Sequence, residues 1–318
     1  MTLEARRNLT EVLTRANHAL TTGRIAEGMW QVSDGLERVR SRVSWHDWQR
    51  LVWSHIREHP IAATLRQSAL GRSAWSWRRR PGLDATLLDV ILGFQQSGDC
   101  PEGLDSINHL EREMPTVAGL RAAALLMRGE LLHLARIKPN ARVLVLSCGY
   151  LRELDGVVLG RFSPTINVVG VEADAAYAQL ARRRLVDPRI GVITGSADQL
   201  RNTVLEPASF DFVYSLAPRP GPLWADLGES LSGTLSFIKP GGALVLLFAA
   251  SGRSDAAYGE AFLDLWFSEA GESHLVNFFQ SLGPALSLRT LREPHGSFIV
   301  CRLSRHSSQR RHGGAIKG

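Results

Sequence analysis

The chain has 318 residues, of which 44% are hydrophobic, and a formal net charge of +6. This length is more than one small domain needs and allows a large core. Its longest apolar run, Ala243 to Ala250, has eight residues and is too short to span a membrane as a helix. The polar segment Met1 to Arg7 lacks a signal-peptide core, and the scattered cysteines Cys100, Cys148 and Cys301 show no disulfide or zinc spacing. We therefore expect a reduced, cytoplasmic protein without a structural metal.

The positive charge is concentrated at the end of the chain. Residues 304–318 contain four basic side chains and no acid, which leaves the rest of the chain at +2. A nucleic-acid groove usually has a stronger basic footprint than this. The composition predicts a disordered basic tail over 304–318 and a partner that is not a nucleic acid.

Residues 1–138 show helical periodicity throughout and are predicted to form a helical N-terminal domain. Ser44 is suited to cap a helix, and Pro60 is suited to end it. The predicted segments are two helices within Leu3 to Arg42, a third after Ser44, a helical stretch from Ile61 to Leu70, a loop from Trp75 to Gly82, a helix around Leu87 to Phe94 closed near Gly98, a polar connection from Asp99 to Asn108, and a helix from Thr116 to Ile137 with Leu120, Ala124, Leu125, Leu131 and Leu134 on its apolar face.

From Pro139 onward, strands and helices alternate. The predicted strands are Val143–Leu146, Ile166–Val171, Ile190–Thr194, Phe210–Ser215, Ala243–Phe248, Leu286–Leu291 and Ser297–Leu303, and the predicted helices are 151–160, 174–186, 197–203 and 222–238. A tight turn is expected at Lys239-Pro240-Gly241-Gly242. This order predicts a Rossmann-like α/β domain over 139–303, with five parallel strands closed by an antiparallel pair.

The first strand of this region ends in the turn Ser147-Cys148-Gly149-Tyr150, and the second ends near Glu172. A strand, a tight turn, a helix, a strand and an acid form the first half of a Rossmann-like nucleotide site. The glycine lets the backbone approach a ligand, and the carboxylate accepts hydrogen bonds from ribose hydroxyls. An ordinary βαβ unit with an accidental acid is the alternative.

The turn itself favours one ligand. A dinucleotide site needs G-x-G-x-x-G so that a pyrophosphate can reach bare helix N–H groups. Only Gly149 is present here, and Tyr150, Leu151 and Arg152 occupy the remaining places. S-adenosylmethionine (SAM) carries no phosphate and needs a single close backbone approach. The sequence therefore predicts SAM as cofactor rather than NAD.

Five features in order resemble the class I SAM-dependent methyltransferases. They are the turn Ser147-Cys148-Gly149, the acid Glu172, the pair Ala197-Asp198, the run Phe210-Asp211-Phe212-Val213 and the turn Lys239-Pro240-Gly241-Gly242. The resemblance implies a seven-stranded methyltransferase sheet and methyl transfer from SAM.

A narrower resemblance is to a bacterial group known for biosynthesis of the extracellular factor 3-hydroxypalmitic acid methyl ester. Arg142 to Asp155 is similar to its RVLSVACGHLRELD, Tyr258 to Trp266 to its YMEAFMDWW, and Arg292 to Gly296 to its RDPHG. Arg80 to Ala85 retains only part of its KPRGYAGD, and Leu151 replaces a glycine usual in the wider class. The likeness implies a small-molecule acceptor, with a carboxylate as the methylated group.

The resemblance also implies site residues. The cofactor-binding set is Ser147, Cys148, Gly149, Tyr150, Glu153, Glu172, Ala173, Ala197, Asp198 and Ser215. Within it, Glu172 is expected to bind the ribose, Asp198 the adenine amino group and Glu153 the methionine ammonium. The alternatives are a helix-terminal acid for Glu172, a capping residue for Asp198 and a surface charge for Glu153.

For the acceptor, the same resemblance points to Tyr258, Glu260, Asp264 and Arg292 as substrate-binding residues and to His295 as the catalytic residue. A helix that covers the sheet is the alternative for the first three, and a structural loop histidine is the alternative for His295. Methyl transfer mainly requires positioning, and a carboxylate acceptor is already ionised at neutral pH and needs no base.

One further motif resembles a metal site. His55 to His59 matches the zinc-peptidase pattern H-x-x-E-H, but Pro60 ends the helix at once and no third ligand is evident.

A nucleic-acid methyltransferase is the second candidate function, yet Ser215-Leu216-Ala217-Pro218 stands where an aromatic platform for a flipped base is expected. A non-catalytic SAM-binding module is the third, and a homodimer remains open.

Overall fold

The structure is a computed structural model that describes residues 3–76, 83–94, 104–155, 166–200, 204–218 and 227–306. Its first half is helical. The helices are α1 (Leu3–Thr21), α2 (Ile25–Arg40), α3 (Trp45–Leu51, continued by a π-helical turn Val52–Ile56), α4 (Pro60–Leu65), α5 (Ala69–Ala74), α6 (Ala85–Leu92), α7 (Asp105–Glu113) and α8 (Pro115–Ile137). None of the described helices is long and apolar enough to cross a membrane.

Side-chain caps define several of these helices. The Ser44 hydroxyl accepts a hydrogen bond from the Asp47 N–H at 3.2 Å, as the sequence predicted. Ser68 caps α5 in the same way through the Gly71 N–H, so the predicted single stretch from Ile61 to Leu70 is two helices. Helix α6 ends at Leu92 because Gly93 adopts a left-handed conformation there, earlier than the expected closure near Gly98.

The second half alternates strands and helices as predicted. Its strands are β1 (Arg142–Leu146), β2 (Asn167–Glu172), β3 (Ile190–Thr194), β4 (Phe210–Ser215), β5 (Ile238–Ala250), β6 (Glu269–Ala270), β7 (Leu286–Arg292) and β8 (Phe298–Arg305), and its helices are α9 (Ala175–Arg184), α10 (Ala197–Leu200), α11 (Leu227–Ser236), α12 (Ala256–Phe262) and α13 (Glu272–Ser281). The first predicted helix, 151–160, is a 3₁₀ turn over Arg152–Leu154 as far as the structure describes it, and 156–160 lie outside the described residues.

The strands form one sheet in the order β3-β2-β1-β4-β5-β8-β7, with β6 paired to β5 off this path. Strands β1 to β5 are parallel, and β8 is antiparallel to both β5 and β7. This is the predicted plan of five parallel strands and an antiparallel pair. The carboxyl ends of β1 to β5 therefore lie at one edge of the sheet, which is where ligands bind in folds of this kind.

Both faces of the sheet are covered, because side chains alternate along each strand. One face, with Val145, Tyr214 and Val245, belongs to a single apolar cluster that also contains the buried side chains of the N-terminal helices. The other face, with Leu144 and Val213, packs with buried residues of α11 and α13. The N-terminal helices thus share one core with the sheet.

Some predicted details are wrong. Helix α7 begins at Asp105, inside the expected polar connection from Asp99 to Asn108, and its buried Glu111 interrupts the apolar pattern in the sequence. Leu125, predicted on the buried face of α8, is 67% exposed. Strand β8 continues to Arg305, so the predicted tail begins too early, and 307–318 lie outside the described residues.

The predicted turn Lys239 to Gly242 is a bulge inside β5. Phe210 pairs with Ile238 but Phe212 pairs with Ala243, so the intervening residues bulge out of the ladder. The Asp211 carboxylate accepts hydrogen bonds from Lys239 Nζ and from the Arg142 N–H, and it forms an ion pair with Lys138. Burial alone raises the pKa of Asp211, but these contacts outweigh it and hold the pKa below its ordinary value. This motif therefore fastens the amino ends of β1, β4 and β5, away from the carboxyl edge.

Candidate functional site

The turn after β1 has an unusual backbone. Ser147, Gly149 and Leu151 have φ values of 50°, 52° and 53°, in the left-handed region. The Cys148 N–H donates to the Val171 carbonyl at 3.0 Å, which ties the turn to the end of β2. Positive φ at two non-glycine residues is uncommon and occurs often at ligand sites.

Glu172 lies between this turn and the next helix. One carboxylate oxygen accepts from the Gly149 N–H and the other from the Asp174 N–H, each at 3.0 Å. Asp174 caps α9 by accepting from the N–H groups of Ala176 and Tyr177. Glu172 is therefore not the helix cap. Its carboxylate is oriented by two backbone groups, and each oxygen retains a lone pair for a further donor.

A cavity of about 420 Å³ extends over the carboxyl ends of β1 to β5. Five of the ten predicted cofactor residues line it: Ser147, Ala173, Ala197, Asp198 and Ser215. Ser196, not Asp198, caps the following turn by accepting from the Gln199 N–H at 3.3 Å. Asp198 is therefore not the capping residue, and the exposed Asp198 side chain lies in the cavity wall.

The other five predicted cofactor residues do not line this cavity: Cys148, Gly149 and Tyr150 lie in the turn after β1, Glu153 in the 3₁₀ turn and Glu172 at the end of β2. Helix α6 packs against the turn. A Cβ on Gly149 would lie 3.3 Å from the Ala85 Cβ, so a side chain there would crowd α6 as well as adopt a φ of 52°. The Tyr177 hydroxyl donates to Asp84 at 3.1 Å. Arg152 makes a bidentate ion pair with Asp89, at 2.9 and 2.6 Å. The N-terminal region thus holds the turn in place, a role for Asp84 and Asp89 that the sequence did not reveal.

Glu153 is not where the methionine ammonium prediction requires it. It is 6% exposed, and its carboxylate accepts a hydrogen bond from the Tyr214 hydroxyl at 2.6 Å. Burial raises the pKa of Glu153. Burial also raises the pKa of the Cys148 thiol, and the nearby Glu172 adds to the effect, which disfavours the thiolate that a nucleophilic role needs. Tyr150 packs edge-on against Tyr177 at a centroid distance of 5.8 Å.

The residues predicted to bind the substrate are divided between two places. Tyr258 and Glu260 are buried on α12 and face the N-terminal helices: the Tyr258 hydroxyl donates to Glu111 at 2.6 Å, and Glu260 accepts from Arg40 and Trp48. Asp264 follows the helix and pairs with Arg57 at 2.9 Å. All three side chains thus contact the N-terminal helices, and neither cavity lining includes these residues.

His295 and Arg292 are exposed at the carboxyl edge of the sheet, in the hairpin between β7 and β8. The hairpin reaches this edge because β8 is antiparallel to β5, as predicted for the last two strands. The buried Glu293 shapes the hairpin because its carboxylate accepts from the N–H groups of His295, Ser297 and Phe298. Glu293 was missed, since a carboxylate in a turn gives no periodic signal.

The H-x-x-E-H pattern does not form a metal site. His55 Nε2 lies 2.9 Å from the Thr10 hydroxyl, and His59 Nδ1 accepts from the Ile61 N–H as a helix cap. Among the described residues, no group of three or more His, Cys, Asp or Glu side chains is placed to hold a metal ion.

No protein-family profile matches the chain, and no curated protein matches it. Solved structures do. A possible exported protein from Bordetella parapertussis is similar over 96% of this chain and 100% of its own, at 17% identity and a TM-score of 0.58. The 1,6-didemethyltoxoflavin-N1-methyltransferase of Burkholderia thailandensis, solved with 1,6-didemethyltoxoflavin and S-adenosylhomocysteine, is similar over 64% of this chain and 83% of its own, at 15% identity and a TM-score of 0.41.

A SAM-dependent methyltransferase from Mesorhizobium loti is similar over 52% of this chain and 92% of its own, at 14% identity and a TM-score of 0.40. At these identities the likeness is one of fold. With five parallel strands, an antiparallel pair and N-terminal helices, the chain has a Rossmann-like α/β fold.

Proposed function

We propose that this protein is a SAM-dependent methyltransferase that acts on a small molecule. The observation that carries the proposal is the cavity at the carboxyl edge, whose walls contain residues from the ends of β1, β2, β3 and β4. Its volume of about 420 Å³ suits a cofactor of the size of SAM.

The ribose and the adenine of the cofactor each have a partner in this proposal. Glu172, oriented by the Gly149 and Asp174 N–H groups, accepts hydrogen bonds from the ribose hydroxyls. Asp198 accepts one from the adenine amino group. SAM supplies an activated methyl group, whose bond to sulfur breaks with the electron pair left on sulfur as the acceptor's lone pair forms the new bond. The protein's contribution is to orient the reactants and exclude water.

A small acceptor is supported by the low charge of the chain before residue 304 and by the absence of an aromatic platform from Ser215 to Pro218. The resemblance of Arg142 to Asp155 to the ester-forming bacterial group supports a carboxylate as the methylated group. His295, exposed at the same edge, is the proposed base for an acceptor that must lose a proton.

Calorimetric titration with S-adenosylhomocysteine tests the cofactor site. Glu172→Ala removes the ribose acceptor, and we expect affinity to fall about 10- to 100-fold, the cost of a charge-assisted pair of hydrogen bonds. Glu172→Gln keeps one acceptor oxygen and should fall less. Glu206→Ala, a carboxylate that is 79% exposed, is the matched control and should bind as the wild type does. Equal affinity in Glu172→Ala and wild type would remove the ribose assignment.

Turnover with radiolabelled SAM then separates the function classes. We expect methylation in a panel of carboxylic acids and phenols, and none of RNA. Methylation of RNA alone would favour the nucleic-acid candidate. If the protein binds the cofactor but methylates none of the carboxylic acids, phenols or RNA, the result would favour the non-catalytic module.

A further inference from the structure

A second cavity, of about 370 Å³, lies on the opposite face of the sheet from most of the first cavity, between α8 and the strands β5, β8 and β7. Its walls are mostly apolar: Ala123 and Met127 from α8, Val245 and Leu247 from β5, Val300 from β8 and Leu291 from β7. The polar side chains Glu130, His133, Arg289, Thr290 and Arg302 also line it. We call it the α8 groove. The functional assignments above use none of these residues.

The α8 groove and the proposed cofactor cavity have a common wall. Ser215, Leu246 and Leu247 line both. Ser215 and Leu246 are paired at the end of the β4–β5 ladder, so the two cavities meet at the carboxyl edge. A molecule in the groove therefore comes nearest to a ligand in the other cavity at this edge, and not deeper in the sheet.

The strand register gives the length of the groove. Tyr214 pairs with Val245, Val245 with Arg302, and Arg302 with Arg289, so one row of residues crosses four neighbouring strands. Adjacent strands are about 4.8 Å apart, and three spacings amount to roughly 14 Å. Arg289 thus marks the far end of the groove, on the edge strand β7, opposite the end that Ser215 marks.

The far end carries a positive charge. Arg302 forms an ion pair with Glu130 and is neutralised by it. Arg289 lines the groove beside Arg302 and has no hydrogen bond or ion pair with the described part of the chain. The exposed Arg289 guanidinium therefore lies at the end of a mostly apolar groove, which is an arrangement that suits an anion attached to an apolar body.

We infer that the α8 groove is the acceptor site, and that the acceptor is an apolar molecule up to about 14 Å long with an anionic group at the end opposite the methylated atom. The methylated atom lies at the Ser215 end, next to the cofactor, and the anionic group lies on Arg289. This inference rests on the proposed function, and it adds the acceptor's shape and charge to it.

The test uses two fluorescent probes that differ in one anionic group: 8-anilinonaphthalene-1-sulfonate and its uncharged analogue N-phenyl-1-naphthylamine. Wild type should bind the sulfonate about tenfold more tightly than the neutral probe. Arg289→Gln should abolish that preference and leave the affinity for the neutral probe unchanged, and Arg289→Lys should retain part of it. Arg128→Gln, an exposed position on α8 that does not line the groove, is the matched control.

A second pair of variants tests the groove without changing Arg289, in case the Arg289→Gln protein does not fold. Leu291 is 54% exposed and lines the groove, so Leu291→Glu places a carboxylate there with little risk to folding. We expect it to weaken sulfonate binding more than Leu291→Gln does. Equal preference for the sulfonate in wild type, Arg289→Gln and Arg128→Gln would overturn the assignment.

Titration with S-adenosylhomocysteine separates this inference from the proposed function. S-adenosylhomocysteine should bind wild type and Arg289→Gln equally. It should not displace the sulfonate probe, because the two cavities have only Ser215, Leu246 and Leu247 in common. Displacement would place the probe in the cofactor cavity and overturn the inference. If S-adenosylhomocysteine binds normally but wild type shows no preference for the sulfonate over the neutral probe, the acceptor site alone is refuted. If S-adenosylhomocysteine binds to neither wild type nor any variant, the proposed function is refuted, and the acceptor assignment with it.

Discussion

The turn after β1 and the helix α12 both contain polar residues that resemble functional motifs, but their surroundings differ. Beside the turn, at the end of β2, Glu172 accepts hydrogen bonds from two backbone N–H groups, and its neighbours Val171 and Ala173 line the open cavity. In α12, Tyr258 and Glu260 are 0% and 2% exposed and bonded to the N-terminal helices. The polar groups near the turn therefore lie at the carboxyl edge of the sheet, whereas those of α12 are bonded within the interior of the protein.

The difference lies in where the partners come from. The partners of Glu172 are near it in the chain or in the adjacent strand, so strand order alone places them together. The partners of Glu260 are Arg40 and Trp48, more than 200 positions away. A motif that ends a parallel strand faces the ligand edge by topology, while polar residues on a helix face whatever packs against that helix.

The largest expected effect comes from breaking the α12 contacts. Arg40→Ala removes the partner of Glu260 at 2.8 Å and of Glu269 at 3.0 Å, and it leaves a buried carboxylate without its cation. We expect the free energy of unfolding to fall by about 3–5 kcal/mol, measured by urea denaturation. Affinity for S-adenosylhomocysteine, measured under native conditions, should stay the same.

Arg38→Ala is the matched control for this change. Arg38 is on the same helix, but its side chain is 61% exposed and its partner Asp34 is 39% exposed. A pair of that kind contributes about 0–1 kcal/mol. Equal stability loss in the two variants would mean that the buried α12 contacts are no stronger than a surface pair.

The second prediction concerns pH. Burial raises the pKa of Glu111 from 4.5 to about 7, although the hydrogen bond from Tyr258 opposes the shift. Between these values the folded protein holds a proton that the unfolded chain has released, so stability falls as pH rises from about 4.5 to 7. A pKa difference of about 2.5 corresponds to roughly 3 kcal/mol over that window.

Glu111→Gln cannot release a proton, so this variant should lack most of that pH dependence and gain stability relative to wild type toward pH 8. The measurement is the urea midpoint at pH 5, 6, 7 and 8. Glu113→Gln, at a side chain that is 61% exposed near the end of the same helix, should follow the wild-type curve. Parallel curves for wild type and Glu111→Gln would show that Glu111 is ionised in the folded protein.

The sequence predicted well those parts that depend on neighbouring residues. Strands β3 and β4 have the predicted bounds, Ile190–Thr194 and Phe210–Ser215, because alternating apolar residues between turn signals identify a strand. Helix α7 was missed because its buried Glu111 breaks the apolar pattern, and its partner Tyr258 is distant in the chain. The α8 groove was also unpredictable, because it is formed by one helix and three strands whose register the sequence does not specify.

A smaller effect is expected at Gly149. Alanine at its φ of 52° should cost about 1–2 kcal/mol, the usual penalty of a left-handed conformation. Its Cβ would also approach the Ala85 Cβ at 3.3 Å. Combining Gly149→Ala with Ala85→Gly in a double-mutant cycle separates the two costs. A large coupling energy would show that helix α6, rather than the backbone conformation, requires glycine there.

The smallest effect should come from removing the end of the chain. The sequence placed the dispensable tail at 304–318, but Ser304 and Arg305 belong to β8, and the Arg305 side chain donates to the Ile238 carbonyl at 2.7 Å. The His306 N–H donates to the Ala285 carbonyl at 3.0 Å. A chain that ends at Leu303 loses these contacts and should be about 1 kcal/mol less stable.

A chain that ends at His306 keeps them, and it should match the full chain in thermal midpoint, in turnover and in the lack of RNA retention at low and moderate salt. The removed residues, 307–318, carry three of the four basic side chains of the predicted tail. If they recruit RNA, truncation must reduce its retention, with a strong dependence on salt, because each phosphate contact releases counterions. Loss of turnover on an RNA substrate after cutting at His306 would therefore overturn the small-molecule proposal, and a change in thermal midpoint alone would show that the segment packs on the domain.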